Sequence, residues 1–439
     1  MKQSVSPEVA DPCFAEPAYR RSRKAYAAEC TFEYFVTLLV GDAFLAKLLS
    51  AIGLSDAFIG IISSLISLAF LFQIFSVLVI QRIRNVKRFV IIFHTGGQLF
   101  FSLLYLIPFL PDMPLAYRKV LVVAVILISY FGNYFVTSML YKWCNSFVSP
   151  DRRARYSATK EMISLATGVV MSLALGYVMD AFFAADNQAG AFLFGAGAIF
   201  IFSMVDLICL LLVRRDFGGK PEPCDRVPTR EVVGGTLGNR NFRRLVVLEV
   251  LWNVARYTTV GFLGIYRISD LLFALGTVQI INTAGHLARF LLSRAFGRYS
   301  DKRGYARGIE LAMCLAAVGF AFQAVTVPTT RWLILGYTLF YNISMAGINQ
   351  NMSSVVYSYV DSRFFVQASA IKHSISGLAG FGAALLAGKI LAAVQANGNM
   401  AFGLPIYGQQ LLAAISCILL IVAVIYNRLA IIPQAAMKQ

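Results

Sequence analysis

Charge is scarce in this chain. Only 14% of its 439 residues are Asp, Glu, Lys or Arg, against about 25% in a soluble protein, which excludes a surface built to meet water on every side. Acids are scarcer than bases, 22 against 39, for a formal charge of +17. In a soluble protein that excess would suggest nucleic acid. Here Lys and Arg cluster between apolar runs, so no nucleic-acid partner is expected. The seven cysteines form no CxxC pair and have no metal-ligand spacing with the three histidines, so neither a disulfide framework nor a metal is expected. A GxxxxGK[ST] phosphate loop is absent, which disfavours an ATP-driven pump. No nucleophile–base motif or catalytic His/Asp/Glu cluster is apparent, so the chain reads as a non-enzyme with no cofactor. The N-terminal stretch lacks a separate apolar core and a small-residue cleavage site, and reads as a tail rather than a signal peptide.

What is abundant is apolar length. Hydrophobic residues make up 58% of the chain, and a bilayer core roughly 30 Å thick needs about 20 of them in helix. Twelve spans are expected, at 31–52, 57–80, 89–110, 119–143, 158–180, 189–213, 243–266, 272–296, 308–327, 332–356, 366–393 and 408–427. The fold expected is an all-α polytopic membrane protein with two six-helix halves. The polar stretch containing Gly218-Gly219-Lys220-Pro221-Glu222-Pro223 marks the join. The divisions are a tail (1–30), a first half (31–213), a linker (214–242), a second half (243–427) and a C-terminal tail (428–439).

Positive charge alternates between the two ends of the spans. Arg20, Arg21, Arg23 and Lys24 precede span 1; Arg82, Arg84, Lys87 and Arg88 follow span 2; Arg152, Arg153 and Arg155 follow span 4. The opposite loops hold little beyond Arg118, Lys119, Arg267 and Arg331. By the positive-inside rule, both termini are cytoplasmic, and the expected setting is a bacterial plasma membrane.

An internal repeat supports the two halves. Span 5 contains Lys160-x2-Ile163-Ser164-x3-Gly168-x7-Gly176, and span 11 contains Lys372-x2-Ile375-Ser376-x3-Gly380-x7-Gly388. A duplicated six-helix unit places such a match at the fifth helix of each half.

After span 8 comes Gly297-Arg298-Tyr299-Ser300-Asp301-Lys302-Arg303-Gly304-Tyr305-Ala306-Arg307. Its Gly-x3-Asp-Lys-x-Gly-x2-Arg spacing resembles the signature loop of the major facilitator superfamily of transporters. The resemblance implies two halves rocking about a midplane cavity, and a gating loop of Gly297, Asp301, Lys302, Gly304 and Arg307. It implies that Asp301 faces the start of span 5, near Ser157 to Lys160 and the Arg152/Arg153/Arg155 cluster. Gly304 would supply a turn with positive φ. The first-half counterpart, Gln81 to Arg88, has the bases but neither the glycines nor the acid, so the cytoplasmic lock is expected to be one-sided. Span 4 lacks an interior arginine, and span 5 lacks the Gly-Pro pair of many drug–proton antiporters.

Ionisable groups inside spans are functional candidates because burying them is costly. Asp42 in span 1 and Arg256 in span 7 stand at similar depth in corresponding helices and are expected to pair, either as substrate and proton groups or as a structural ion pair. Glu33 lies one turn after Glu29, as a proton site or a solvated helix end. Glu249 either lines the cavity or pairs with a loop base. His286, His94 and His373 read as packed, hydrogen-bonded residues. Asn133 and Tyr134 in span 4, and Tyr341, Asn342 and Asn349 in span 10, are candidates for small-ligand contact. The function expected is secondary active transport, with proton coupling through Asp42 or Glu33, either exporting cationic amphiphiles or taking up sugars and other polar metabolites. A transporter-like sensor or scaffold is the alternative. The partners expected are the bilayer and a small-molecule substrate, around a monomer.

Overall fold

The computed structural model describes residues 17–79, 83, 85–110, 112–148, 153–215, 234, 236–360, 365–401 and 403–433. Its helices follow the expected spans, with three of them broken. Span 1 is α1 (Pro17–Leu39) and α2 (Asp42–Ala51), which meet at a 42° bend. Span 2 is α3 (Asp56–Ser63), α4 (Leu65–Ala69) and α5 (Phe72–Val79). The rest of the first half is α6 (Val86–Leu104), α7 (Leu115–Asn145), α8 (Arg153–Ala184) and α9 (Gln188–Leu212). Span 7 is α10 (Arg240–Tyr257) and α11 (Val260–Ile265), continued by a π turn through Asp270. Then follow α12 (Leu275–Arg303), α13 (Tyr305–Ala324), α14 (Ile334–Tyr359), α15 (Phe365–Ala396) and α16 (Gly408–Tyr426). A two-residue ribbon, Met400–Ala401 against Leu404–Pro405, precedes α16.

Among the described residues, seven helices are long and apolar enough to cross a membrane, or eight if α1 and α2 count as one span. The elements that fall short are rich in charged and amide side chains. They are α6 with His94 and Gln98, α10 with Glu249 and Arg256, α12 with Asn282 and Arg289, and α14 with Asn342. Low hydropathy there follows from what those helices hold. Outward faces are apolar, as in Ile92 (69% exposed) and Leu386 (63% exposed), because lipid rather than water is their expected solvent.

The same helix pairs recur in each half. The first-half contacts α1–α8, α1–α9, α6–α7 and α6–α9 correspond to α10–α15, α10–α16, α13–α14 and α13–α16 in the second. Between the halves, α2 and α3 lie against α11, α3 and α4 against α15, and α8 against α12. The close approach between α3 and α11 depends on glycine. A Cβ on Gly261 would sit 2.6 Å from the Gly60 carbonyl oxygen, and one on Gly264 would sit 2.6 Å from that of Asp42. Both distances are shorter than side-chain carbons tolerate, so bare backbones make this contact.

Candidate functional site

The join at the α2–α3–α11–α12 end is polar as well as close. Asp42 begins α2 with φ +43°, a left-handed conformation that Asp tolerates better than most residues. Its Oδ2 accepts from Arg267 Nη1 at 3.1 Å and from Asn282 Nδ2 at 2.9 Å. Arg267 is 1% exposed. It also donates to Asn282 Oδ1 at 2.9 Å and Thr338 Oγ1 at 2.7 Å.

Asp180 at the end of α8 accepts from the backbone N–H groups of Leu275 (3.1 Å) and Gly276 (2.6 Å). It thereby satisfies open donors at the start of α12 with a carboxylate, where the helix dipole favours one. Gln395 Nε2 in α15 donates to Asp56 Oδ2 in α3 at 2.9 Å. At this end three carboxylates of the first half thus accept from donors of the second, and elsewhere Glu161 of α8 accepts from Arg289 of α12 at 3.3 Å.

The expected Asp42–Arg256 pair does not form, and this corrects the sequence reading. The second-half helix turns about Thr258 and Thr259 and runs on as α11 and the π turn. That places Arg267, formerly read as a loop base, opposite Asp42. Arg256 remains in the last turn of α10, half-buried, its guanidinium 5.0 Å from the Tyr257 ring. Its Nε has no hydrogen-bond partner, and no ion pair to Arg256 occurs among the described residues. Tyr341, Tyr257 and Tyr337 are its main electrostatic neighbours. Tyr341 stacks on Tyr337 at 5.4 Å and 15°, with its hydroxyl towards the Arg256 guanidinium.

Glu249 pairs with neither a cavity ligand nor a loop base. It forms an ion pair with Lys372 of α15, while His373 Nδ1 lies 2.8 Å from its Oε1 and the Ser376 hydroxyl donates to that oxygen at 3.4 Å. Lys372 is 1% exposed and Glu249 5%. The first half holds a related assembly. Lys160 of α8 lies 4.1 Å from the Tyr26 ring and interacts with Cys30 and Glu29 of α1. A sequence signal was available. Glu29-x10-Val40-Gly41 and Glu249-x10-Val260-Gly261 are spaced alike, and each helix breaks beside its Val-Gly.

Glu33, expected as a proton site or a solvated helix end, is half-buried, one turn from the fully buried Glu29. His94 of α6 faces Glu29 Oε1 at 3.4 Å and Asp206 Oδ2 of α9 at 3.5 Å. Asp206, fully buried, was missed because it lies within a long apolar run and matches no motif.

The amide and aromatic candidates divide. Asn133 is buried, donates to Ser129 O at 2.9 Å and keeps an unpartnered Oδ1. Tyr134 is half-buried and packs edge-on against Phe70 at 5.5 Å. Asn342 donates to Thr338 O at 2.8 Å. Asn349 is exposed on α14. The loop residues Asp301, Lys302 and Arg307 are exposed, and Gly297 is half-buried. Gly304 ends α12 at φ +91°, the positive φ that its place in the motif implies. Arg152 lies outside the described residues, as do the side chains of Arg153, Arg155 and Ser157; Lys160, at the far end of the stretch expected to face Asp301, lies against Tyr26, Cys30 and Glu29 instead.

The Major Facilitator Superfamily model matches residues 31–388. The chain belongs to the major facilitator superfamily. A search of curated proteins found no match. Among solved structures, the fold is similar to the nucleoside transporter NupG, with TM-score 0.67 and 13% identity over 94% of this chain and 98% of that one. It is also similar to a bacterial homologue of the human lysosomal transporter Spinster, with TM-score 0.65 and 15% identity over 94% and 97%. A POT-family peptide transporter matches with TM-score 0.66 and 12% identity over 94% and 97%. This superfamily member is an integral, multi-pass membrane transporter and not an enzyme.

Proposed function

We propose that this chain is a secondary active transporter that works by alternating access and carries a small organic anion. The observation that carries the reading is Arg256: a half-buried guanidinium without an acidic partner among the described residues, its Nε unsatisfied, with the Tyr341 hydroxyl beside it as a neutral neighbour. A permanent cation in a low-dielectric cavity calls for an anion, and a carboxylate or phosphate matches its planar fork. This favours anionic metabolites over the cationic amphiphiles that an acidic helix 1 would suit, since Asp42 is already held by Arg267.

Anionic small molecules should raise the melting temperature of the purified protein where cationic amphiphiles do not. Arg256→Gln should weaken binding of the stabilising anion by about 10–100-fold, the loss expected for a hydrogen bond to a charged group. Proteoliposome flux with and without a pH gradient would then fix direction and proton coupling. Stabilisation by cations alone, or anion affinity unchanged in Arg256→Gln, would sink the reading.

With both termini cytoplasmic, the joined end is extracellular. Asp270 bears on that end from outside the spans. Its carboxyl is pushed up to about 6 by burial first and by the Asp56 carboxylate second, against a Gln409 hydrogen bond at 3.1 Å that opposes the rise. Among the described residues Tyr266 also interacts with it, and Tyr407 lies beside Tyr266. The joined arrangement therefore prefers protonated Asp270. This contribution is full below the ordinary carboxylate value and is lost as pH rises through about 6. Acidifying from pH 7.5 to 5 should shift the population towards the joined end, and Asp270→Asn should flatten the response. Distances between spin labels at exposed Ser50 and Asn397 would report it; an equally steep response in Asp270→Asn would refute it.

A further inference from the structure

We infer that the first half holds a first-row divalent metal ion, of the Zn2+ type, between Glu29 and Glu33 of α1, His94 of α6 and Asp206 of α9. Ligand atoms of Glu29, Glu33 and His94 all lie within 4.8 Å of one another. Asp206 reaches the group from a third helix, through His94.

The spacing is informative. His94 Nε2 stands 3.4 Å from Glu29 Oε1 and 3.5 Å from Asp206 Oδ2, and none of these three atoms has a hydrogen-bond partner. Two donors bound to one tetrahedral ion at about 2.0–2.1 Å lie about 3.3 Å apart. The gaps are thus long for hydrogen bonds and close to those of ligands sharing a metal.

Burial gives an independent reason. Glu29 and Asp206 are fully buried and His94 is 1% exposed, and buried polar atoms are ordinarily satisfied. Neither carboxylate oxygen of Asp206 accepts a hydrogen bond, and Oδ2 has the 3.5 Å approach of His94.

The donors are of the right kind: three carboxylates and one imidazole converge here, with the Lys160 ammonium beside Cys30 and Glu29. The Cys30 thiol donates to Glu29 Oε2 at 3.1 Å, which leaves Oε1 for the ion, a supporting contact of the kind that orients metal ligands. Glu33, half-buried, gives the ion a way in. The donor set of one imidazole and carboxylate oxygens suits Zn2+ or Co2+ more than a soft ion that needs thiolates. Linear spacing could not reveal this site, because its ligands come from three helices.

The test uses the purified full chain, stripped with chelator and titrated with ZnCl2, CoCl2 and MgCl2. One Zn2+ or Co2+ per chain is expected, with a rise in melting temperature and visible Co2+ absorption of low-symmetry coordination; Mg2+ should not compete. Affinity should fall from pH 7.5 to 6 as the ligands take up protons. His94→Gln and Asp206→Asn should each bind at least about 100-fold more weakly, while Asp56→Asn, at the distant join, should bind as the parent does.

Should the ligand variants fail to fold, X-ray absorption of the zinc-loaded parent decides, with nitrogen and oxygen neighbours near 2.0–2.1 Å expected. Sulfur neighbours would overturn the assignment. So would a melting temperature that follows pH with no saturable Zn2+ or Co2+ binding, since protons alone would then balance the cluster. Undiminished binding in both His94→Gln and Asp206→Asn would also overturn it.

Discussion

Glu249→Gln should lower stability by about 3 kcal/mol, the lower end of the 3–5 kcal/mol typical of breaking a buried ion pair from one side. Lys372 is 1% exposed, so without the carboxylate its ammonium would sit uncompensated among helices. The amide oxygen of the new Gln can still accept one hydrogen bond, which keeps the loss at the low end. His373, 40% exposed at its side chain, would turn towards solvent at little cost.

The partner change separates charge from shape. In Glu249→Gln/Lys372→Met the stranded cation is gone and a flexible apolar chain of similar length fills its place, so most of the loss should return. Denaturant titration of the four proteins of this double-mutant cycle measures the coupling. A double variant no more stable than Glu249→Gln alone would show that Lys372 is not what the carboxylate protects.

The fold was legible because lipid simplifies the problem. Every spanning segment must satisfy its own backbone, so length and hydropathy alone mark helices. The Lys160 and Lys372 repeat, written in identical spacing, pointed to two related halves. The sites were less legible. Lys160 and Lys372 were in view as repeat markers, yet nothing in one chain's spacing says which carboxylate meets a lysine on another helix. Asp206 and His94 lie far apart in sequence and meet only when α6 and α9 pack. Asp42 illustrates the error that depth alone produces. Equal depth in corresponding helices suggested Arg256, but both helices break beside their Val-Gly pairs. Past the break, the side chain that arrives opposite Asp42 is eleven residues further on. A straight-helix reading cannot see that.

Arg267→Met should loosen the joined end by about tenfold or more in the ratio of closed to open molecules. Arg267 holds Asp42 across the halves at 3.1 Å, and Asn282 and Thr338 within its own half at 2.9 and 2.7 Å. Only the bond to Asp42 is lost when the halves separate, so the substitution acts on the equilibrium between conformations as well as on folding. A fully buried pair would be worth several kcal/mol to break from one side. The Asp42 side chain is 36% exposed, so water recovers part of that cost and about 1–3 kcal/mol is expected. Each 1.4 kcal/mol is tenfold in the equilibrium. Spin-label distances between Ser50 and Asn397 should therefore gain a longer component. Thr338→Val tests the route: it removes a bond inside one half, so it should leave that distance distribution nearly unchanged while lowering the melting temperature slightly. Asp42→Asn keeps an oxygen for Arg267 but loses the charge, and should fall between the two. An Arg267→Met distribution that overlays the parent's would mean that the backbone contacts at Gly261 and Gly264 hold this end shut by themselves.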